Sequence, residues 1–569
     1  MQCYFVPPGA DEPPGQGDDT GDPGVTSLSP ALLARHGARV LDPAAVPVAD
    51  PAAALRPTAY RTRTLLVPRR LQRDPFLAEI NNVLARVGMR LTATAGDDSR
   101  DDLLGGFPVT AVLERADEDA LPPVTVDAWT ALTALRTATA KRGLDAMLTA
   151  ADVATIGLEH LLFGAAITGS PEVHGHAAGD SYLTATSDSR IPVAVYADPP
   201  RRRTDGECAA RFGRRPVIAV LDTGVRAHPW LGVTRAAPGA AGYVTAPDGC
   251  VQVDQSIQDA IYGSALAAVT GGDGARKLIR HPWDIPVTQD PLVGELSPAT
   301  GHGTFIAGIV AQAVPDATVL SIRIMHSDDV VYEGDLAAAL QQLVLRVAQA
   351  QDPAGPQSGL LIDALSLSLG YFPESPQDAD YTSALKPVID TLLSMGVLIT
   401  ASAGNDAVSR RCYPAAFAAA PRPAGVPPLV SVGALNPNGT RAIFSDDGCW
   451  VTAWAPGAMV VSTFPVDVNG AFEPAELVSG PPDRPDGQPP DRPDEHWRTR
   501  EALDPDDFRG GFAVWSGTSF AAPALAAWLA AALVDGAAGD PALLLSDPAR
   551  DAAVGRAWHA LRDRGWQGP

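Results

Sequence analysis

Three short segments carry side chains that could run nucleophilic chemistry together. The first is Ala219-Val220-Leu221-Asp222-Thr223-Gly224-Val225. The second is Gly301-His302-Gly303-Thr304, and the third is Gly517-Thr518-Ser519-Phe520-Ala521-Ala522-Pro523. A serine hydroxyl is a poor nucleophile at neutral pH. It needs an imidazole to accept its proton and a carboxylate to hold that imidazole in the right tautomer. Glycines beside His302 and before Ser519 let the backbone approach closely and leave room for a substrate chain. Ser519 also opens an apolar helix, so backbone N–H groups and the positive dipole end lie where an oxyanion would develop.

The surrounding pattern says what must position these groups. Pro216–Leu221 is a nearly continuous apolar run, as a strand buried on both faces requires. Similar runs recur at Thr318–Ile324, Leu361–Leu369, Gly396–Ala401, Pro428–Gly433 and Met459–Thr463. Helical stretches lie between some of them, at Thr304–Ala313, Gly334–Ala348 and Ala384–Met395. Strands alternating with helices predict an α/β fold, a mostly parallel sheet covered on both faces in three layers. Asp222 then falls just past a strand, where open α/β sheets build their sites. The segments 231–300 and 465–511 read as low-order insertions, the second with a PPDRPD duplication.

Upstream, Thr64–Pro68 reads as a strand and Phe76, Ile80, Val83, Leu84 and Val87 mark a helix face. Met89–Ala93 and Pro108–Glu114 read as strands, Asp127 opens a second helix, and Ile191–Tyr196 is expected as a final strand. That is the order of a split βαβ unit of ferredoxin-like type. The expected organisation is an irregular region at 1–60 and a small α/β domain at 61–200. A polar linker at 201–215 and a catalytic-type domain at 216–565 follow.

Composition narrows the function. Hydrophobic residues at 46% and charged residues at 19% describe a globular chain rather than a disordered one. A net charge of −23 argues against phosphate-driven nucleic-acid binding. Five cysteines match no zinc pattern and make no disulfide scaffold, although Cys412 with Cys449, or Cys208 with Cys250, could pair. No uninterrupted membrane-length apolar run occurs, and Phe520–Val534 suits a buried helix better. The first residues, rich in Pro, Gly and Asp, show no secretory signal. The expected location is therefore cytoplasmic, with non-classical export left open.

The blocks DTGV, GHGT and GTSFAAP, in that order, resemble the signatures of the subtilisin-like serine peptidases. The resemblance covers roughly 216–540. It implies Asp222 as orienting acid, His302 as general base and then acid, and Ser519 as nucleophile. It further implies Asn405, in Ser402-Ala403-Gly404-Asn405-Asp406, as a side-chain donor to the oxyanion. Ser368-Leu369-Gly370 resembles the edge that pairs with an extended substrate, and Ala401, Ser402, Ala403 and Gly404 the facing wall of the primary pocket. Small residues on both sides imply a large or apolar P1 residue. Two positions depart from the common pattern: Phe305 where many relatives carry a second histidine, and Tyr371 where many carry glycine.

The function implied is a serine endopeptidase acting on protein or peptide substrates, with no nucleic-acid partner and no membrane span. No cofactor is required for the chemistry. Structural calcium is common in the family, but no local acidic pattern assigns a site, and the acidic run at 502–507 reads as a solvated face. His174 and His176 read as a surface loop, and His228, before Pro229, as a structural turn. The alternative is a latent or inactive scaffold that binds peptides or partner proteins. An esterase is disfavoured by motif order and by the lack of a G-x-S-x-G elbow. The family often carries a propeptide of split βαβ type, so the 61–200 domain is expected as either an accessory domain or a self-inhibitor.

Overall fold

The computed structural model describes residues 3–6, 28–45, 55–94, 101–117, 123–140, 147–164, 190–237, 240, 242–269, 277–285, 296–374, 384–468 and 508–568. His174, His176 and the 502–507 run lie outside them.

The larger sheet has eight strands. Their order is Tyr4–Phe5, Ala453–Pro456, Leu429–Leu435, Leu398–Ser402, Ala364–Leu367, Val217–Asp222, Thr318–Arg323 and Val251–Val253. All neighbours run parallel except Tyr4–Phe5, which pairs antiparallel with Ala453–Trp454. The apolar runs are continuous because each strand feeds two cores. Ile218 and Val220 face one core, shared with the helices His302–Ala313 and Thr518–Gly539. Val217, Ala219 and Leu221 face the other, shared with Glu333–Ala350 and Lys386–Ser394. This is the expected α/β/α layering. Thr518–Gly539 is long and apolar enough to cross a membrane, yet 72% of its apolar window is buried inside the protein, as suits a core helix.

A second, antiparallel sheet precedes it. Its order is Met89–Thr92, Pro108–Arg115, Ala59–Pro68, Gly157–Gly164 and Val330–Tyr332, with Ala38–Val40 also paired to Ala59–Pro68 and Leu369–Gly370 to Gly157–Gly164. Helices Phe76–Leu84 and Ala128–Ala140 share its core, and Asp127 Oδ2 accepts from Thr130 N at 3.0 Å at the start of the second helix. The opposite face lies on Glu333–Ala350. Gly334 permits that approach: a Cβ there would stand 2.0 Å from Thr110 Oγ1 and 2.4 Å from Glu159 Oε1.

Four local expectations change. The closing strand of the small sheet is Gly157–Gly164, whereas Ile191–Pro192 pairs with Ala513–Val514 in a separate three-stranded sheet. The 201–215 stretch holds a helix, Asp205–Phe212, because Thr204 and Glu207 form a capping box and Cys208 and Phe212 are fully buried. Segment 231–300 contains regular elements: Val251–Val253 edges the main sheet and Asp254 caps the helix Gln255–Ala267. The N-terminal region contributes the Tyr4–Phe5 strand, with Phe5 edge-on to Trp566. All five cysteines are free thiols, so neither suggested pair forms.

Candidate active site

The site assembles at the carboxyl ends of the parallel strands. Asp222 is the last residue of its strand, Ser368 follows Ala364–Leu367, and Ser402 closes Leu398–Ser402. His302 opens one helix, and Ser519 is the second residue of another.

Asp222 holds the imidazole. His302 Nδ1 lies 2.8 Å from both Asp222 Oδ1 and Oδ2. The carboxylate is itself positioned by Thr223 N, which donates to Oδ1 at 2.7 Å. Gly303 must be glycine, since a Cβ there would stand 2.1 Å from Gly224 O and 3.1 Å from Asp222 Oδ1. With an ionised Asp222 accepting at Nδ1, the neutral imidazole presents its lone pair at Nε2. Among the described residues nothing hydrogen-bonds Nε2. The ring edges against Trp515 at 5.5 Å and lies 5.5 Å from Phe520. Phe305, one of the two departures, packs on Phe520 at 4.5 Å and fills this aromatic floor.

Ser519 Oγ donates to Ser368 O at 3.2 Å, and Ser368 Oγ donates to Ser519 O at 2.8 Å. The hydroxyl is thus turned toward Ser368 rather than bonded to His302. Asn405 Oδ1 accepts from Thr518 N and Thr518 Oγ1, each at 2.9 Å. Fixing the oxygen end sets the amide plane and so the direction of its Nδ2 donor. Gly404 N donates to Thr518 Oγ1 at 3.2 Å, which ties the Ala401–Gly404 wall to the serine helix. Ala401, Ser402, Ala403, Ser368 and Leu369 are buried, and Gly370 is half-buried.

A model of the subtilase family matches residues 213–538. The chain belongs to the subtilase family. This subtilase is 26% identical to subtilisin BL of Lederbergia lenta over 276 residues, covering 46% of this chain and 73% of the relative. It is 27% identical to subtilisin-like protease 3 of Pseudogymnoascus destructans over 168 residues, 29% of this chain and 36% of the relative. Against the crystal structure of fervidolysin from Fervidobacterium pennivorans, described as a keratinolytic enzyme related to subtilisin, the TM-score is 0.39. That match has 15% identity and covers 84% of this chain and 55% of the other.

Asp222, His302 and Ser519 are all essentially inaccessible in this subtilase, at 1%, 0% and 0% exposure. Its own chain lies along both sides of the site. Leu369 and Gly370 pair antiparallel with Gly164 and Phe163. The facing strand Val330–Tyr332 pairs antiparallel with Phe163, Leu162 and Leu161. On the other side of Ser519, Ile191–Pro192 pairs with Val514 and Ala513. Arg190 is buried beside this strand, its Nη1 donating to Ser297 O at 3.1 Å and Thr300 O at 2.8 Å, its guanidinium 5.2 Å from the Trp515 ring centre.

Several groups at the site were not visible in the sequence. Asp284 is buried, accepts from Gly301 N at 2.7 Å, and burial pushes its carboxyl up to about 6. Asp329, with φ of 70°, is buried against Gly164; burial and the nearby Asp222 raise its carboxyl well above the ordinary range. His160, on Gly157–Gly164, sits between Glu333 and Glu374. No local pattern marks these residues, because their partners come from distant segments. His228 is structural, as expected: its Nδ1 accepts from Trp230 N at 3.1 Å, its Nε2 meets Gly511 O at 2.8 Å, and burial lowers its pKa to about 4. Calcium gains no assigned site: among the described residues no group of three or more His, Cys, Asp and Glu is arranged to hold a metal ion.

Proposed function

We propose that this subtilase is a serine endopeptidase in which Ser519 attacks the scissile carbonyl, His302 shuttles the proton, Asp222 orients His302, and Asn405 donates to the oxyanion. The observation that carries the reading is the Asp222–His302 pair, which leaves Nε2 unbonded among the described residues at the mouth of the Ser519 helix. For reaction, the Ser519 hydroxyl leaves Ser368 O and turns to Nε2. The imidazole takes its proton as the bond to the carbonyl carbon forms, then returns it to the leaving amine. The oxyanion meets the Asn405 amide and the helix N-terminus, donors fixed before the substrate arrives. The small residues of Ala401–Gly404 and Ser368–Gly370 favour a large or apolar P1 side chain.

The chain is also proposed to inhibit itself. The small domain has the strand order of a ferredoxin-like propeptide, and Gly157–Gly164 fills the two-edged slot where an extended substrate would pair. With the catalytic groups inaccessible, the latent state is the ground state, and activity follows release of this strand. Fluorophosphonate labelling tests both parts. Label on Ser519, absent from S519A and H302A and faster after limited proteolysis between the domains, is expected. A Ser519 that never labels in any processed form refutes the peptidase reading; full labelling and peptide hydrolysis by intact chain refutes self-inhibition.

A further inference from the structure

We infer that the cleft contains a distal subsite for a cationic substrate side chain, six residues before the scissile bond, formed by Glu333, Glu374 and Tyr371. The inference rests on the reading that Gly157–Gly164 lies where substrate lies. Register then numbers the positions. Leu369 pairs with Gly164 and Gly370 with Phe163, so the position opposite Ser368 comes next. Ser368 O accepts from Ser519 Oγ, which makes that position P1. The Gly164 place is P2, the Leu162 place P4, and the His160 place P6.

His160 is held from three sides. Its Nδ1 lies 2.7 Å from Glu333 Oε2 and its Nε2 3.1 Å from Glu374 Oε2. Its backbone N–H donates to Glu333 Oε2 at 3.2 Å, continuing the pairing that ends at Tyr332. The ring stacks on Tyr371 with centres 4.5 Å apart, and Tyr371 OH donates to Glu333 Oε1 at 3.1 Å. A neutral imidazole has one N–H, whereas two ionised carboxylates on opposite ring nitrogens need two. The occupant is therefore an imidazolium. Burial alone would lower the His160 pKa, but the two carboxylates overcome it and raise it to about 9.

The receiving groups all belong to the catalytic side. Glu333 opens the Glu333–Ala350 helix, and Tyr371 and Glu374 follow the Leu369–Gly370 edge. When the strand leaves, His160 goes with it, and so does Arg136, which stands 3.7 Å from Glu374. Two carboxylates are left facing the cleft without their cations, an arrangement that favours a cationic replacement. An arginine at P6 would meet both carboxylates with its planar fork and stack on Tyr371 as the imidazole does. This also accounts for tyrosine at a position where glycine is common: its ring floors the subsite and its hydroxyl aims Glu333.

The test uses three quenched peptides identical except for Arg, Gln or Glu at P6. Their kcat/KM is measured on the full-length chain as it is purified, and their binding to full-length S519A by anisotropy. The strand competes equally with each peptide, so ratios are unaffected. Expected is an order Arg, Gln, Glu, with Arg above Glu by about tenfold or more, the scale of a charge-assisted hydrogen bond. The E333Q/E374Q double variant should bring the three within about twofold, the residue of lost pairing. Equal binding of all three to S519A, or an Arg preference that survives in the double variant, overturns the subsite. Arg-selective binding by a chain inert on every peptide supports the subsite and counts against the peptidase reading instead.

Discussion

Replacing Leu162 with alanine is predicted to open the enzyme. Leu162 is fully buried and lies opposite Val331. It packs in the core cluster of the catalytic layer, with Met325, Leu336 and Leu369, and is not part of the small domain's own core. Its truncation therefore weakens docking more than it weakens the domain that docks. Buried Leu-to-Ala changes cost about 2–5 kcal/mol, and each ~1.4 kcal/mol is a factor of ten. If that cost falls on docking, the open fraction rises from about 30-fold to several thousand-fold. Ser519 is inaccessible when the strand is docked, so its labelling by a fluorophosphonate scales with the open fraction while opening and closing are fast. The measurement is the labelling rate of full-length L162A against wild type, with thermal unfolding recorded in parallel to confirm an intact catalytic domain. Labelling within about threefold of wild type, in a folded variant, would refute the claim that this strand is what closes the site.

Asn405→Ala should lower kcat by about 10²–10³ with little change in KM, since the amide acts only on the developing oxyanion; steady-state kinetics on processed enzyme decide it, and an equal rise in KM would argue for a binding role instead. Self-inhibition should weaken in alkali. The His160 imidazolium is held by Glu333 and Glu374, stacked on Tyr371, with Arg136 beside Glu374, so its docking contribution is complete below the ordinary histidine pKa and is lost as pH rises through about 9. Ser519 labelling of the wild type should therefore accelerate between about pH 8 and 10 relative to H160Q, in which the step disappears. Gly303→Ala should lower the melting temperature by several degrees, from an overpacking cost of about 1–3 kcal/mol, and reduce activity by displacing Asp222 from His302; an active, equally stable variant would contradict the geometry.

The catalytic half was legible because its signals are local. Asp222 and Ser402 directly follow apolar runs long enough to be buried strands, Ser368 lies at the end of another, and His302 and Ser519 stand at the starts of apolar helices. Geometry that depends on the chain folding back was not legible. Gly157–Gly164 carries Glu159 and His160 in its middle, which reads as poor strand sequence. Both are buried all the same, because Arg61 and Thr110 meet Glu159 while Glu333 and Glu374 meet His160. Ile191–Pro192 does form a strand, yet its partner is next to Ser519 rather than in the small domain, and nothing near residue 191 announces that. The Asp205–Phe212 helix was readable from its capping box, but a run of arginines before it suggested only solvent exposure.

The Tyr4–Phe5 strand has a consequence for what happens after the chain is cut between its two domains. The amino-terminal fragment would then be attached at two separated places, by Tyr4–Phe5 on the Ala453–Pro456 edge and by the small domain, docked through Gly157–Gly164 in the cleft and through its sheet on Glu333–Ala350. Two attachments joined by one polypeptide act with high effective concentration: when either lets go, the other keeps it close enough to rebind. The nicked protein would behave as a non-covalent heterodimer through gel filtration, and its dissociation would be slow and governed by the less frequent event of both ends being open at once. Shortening the fragment by its first six residues would convert that avid complex into an ordinary bimolecular inhibitor, diluted away as soon as the enzyme is.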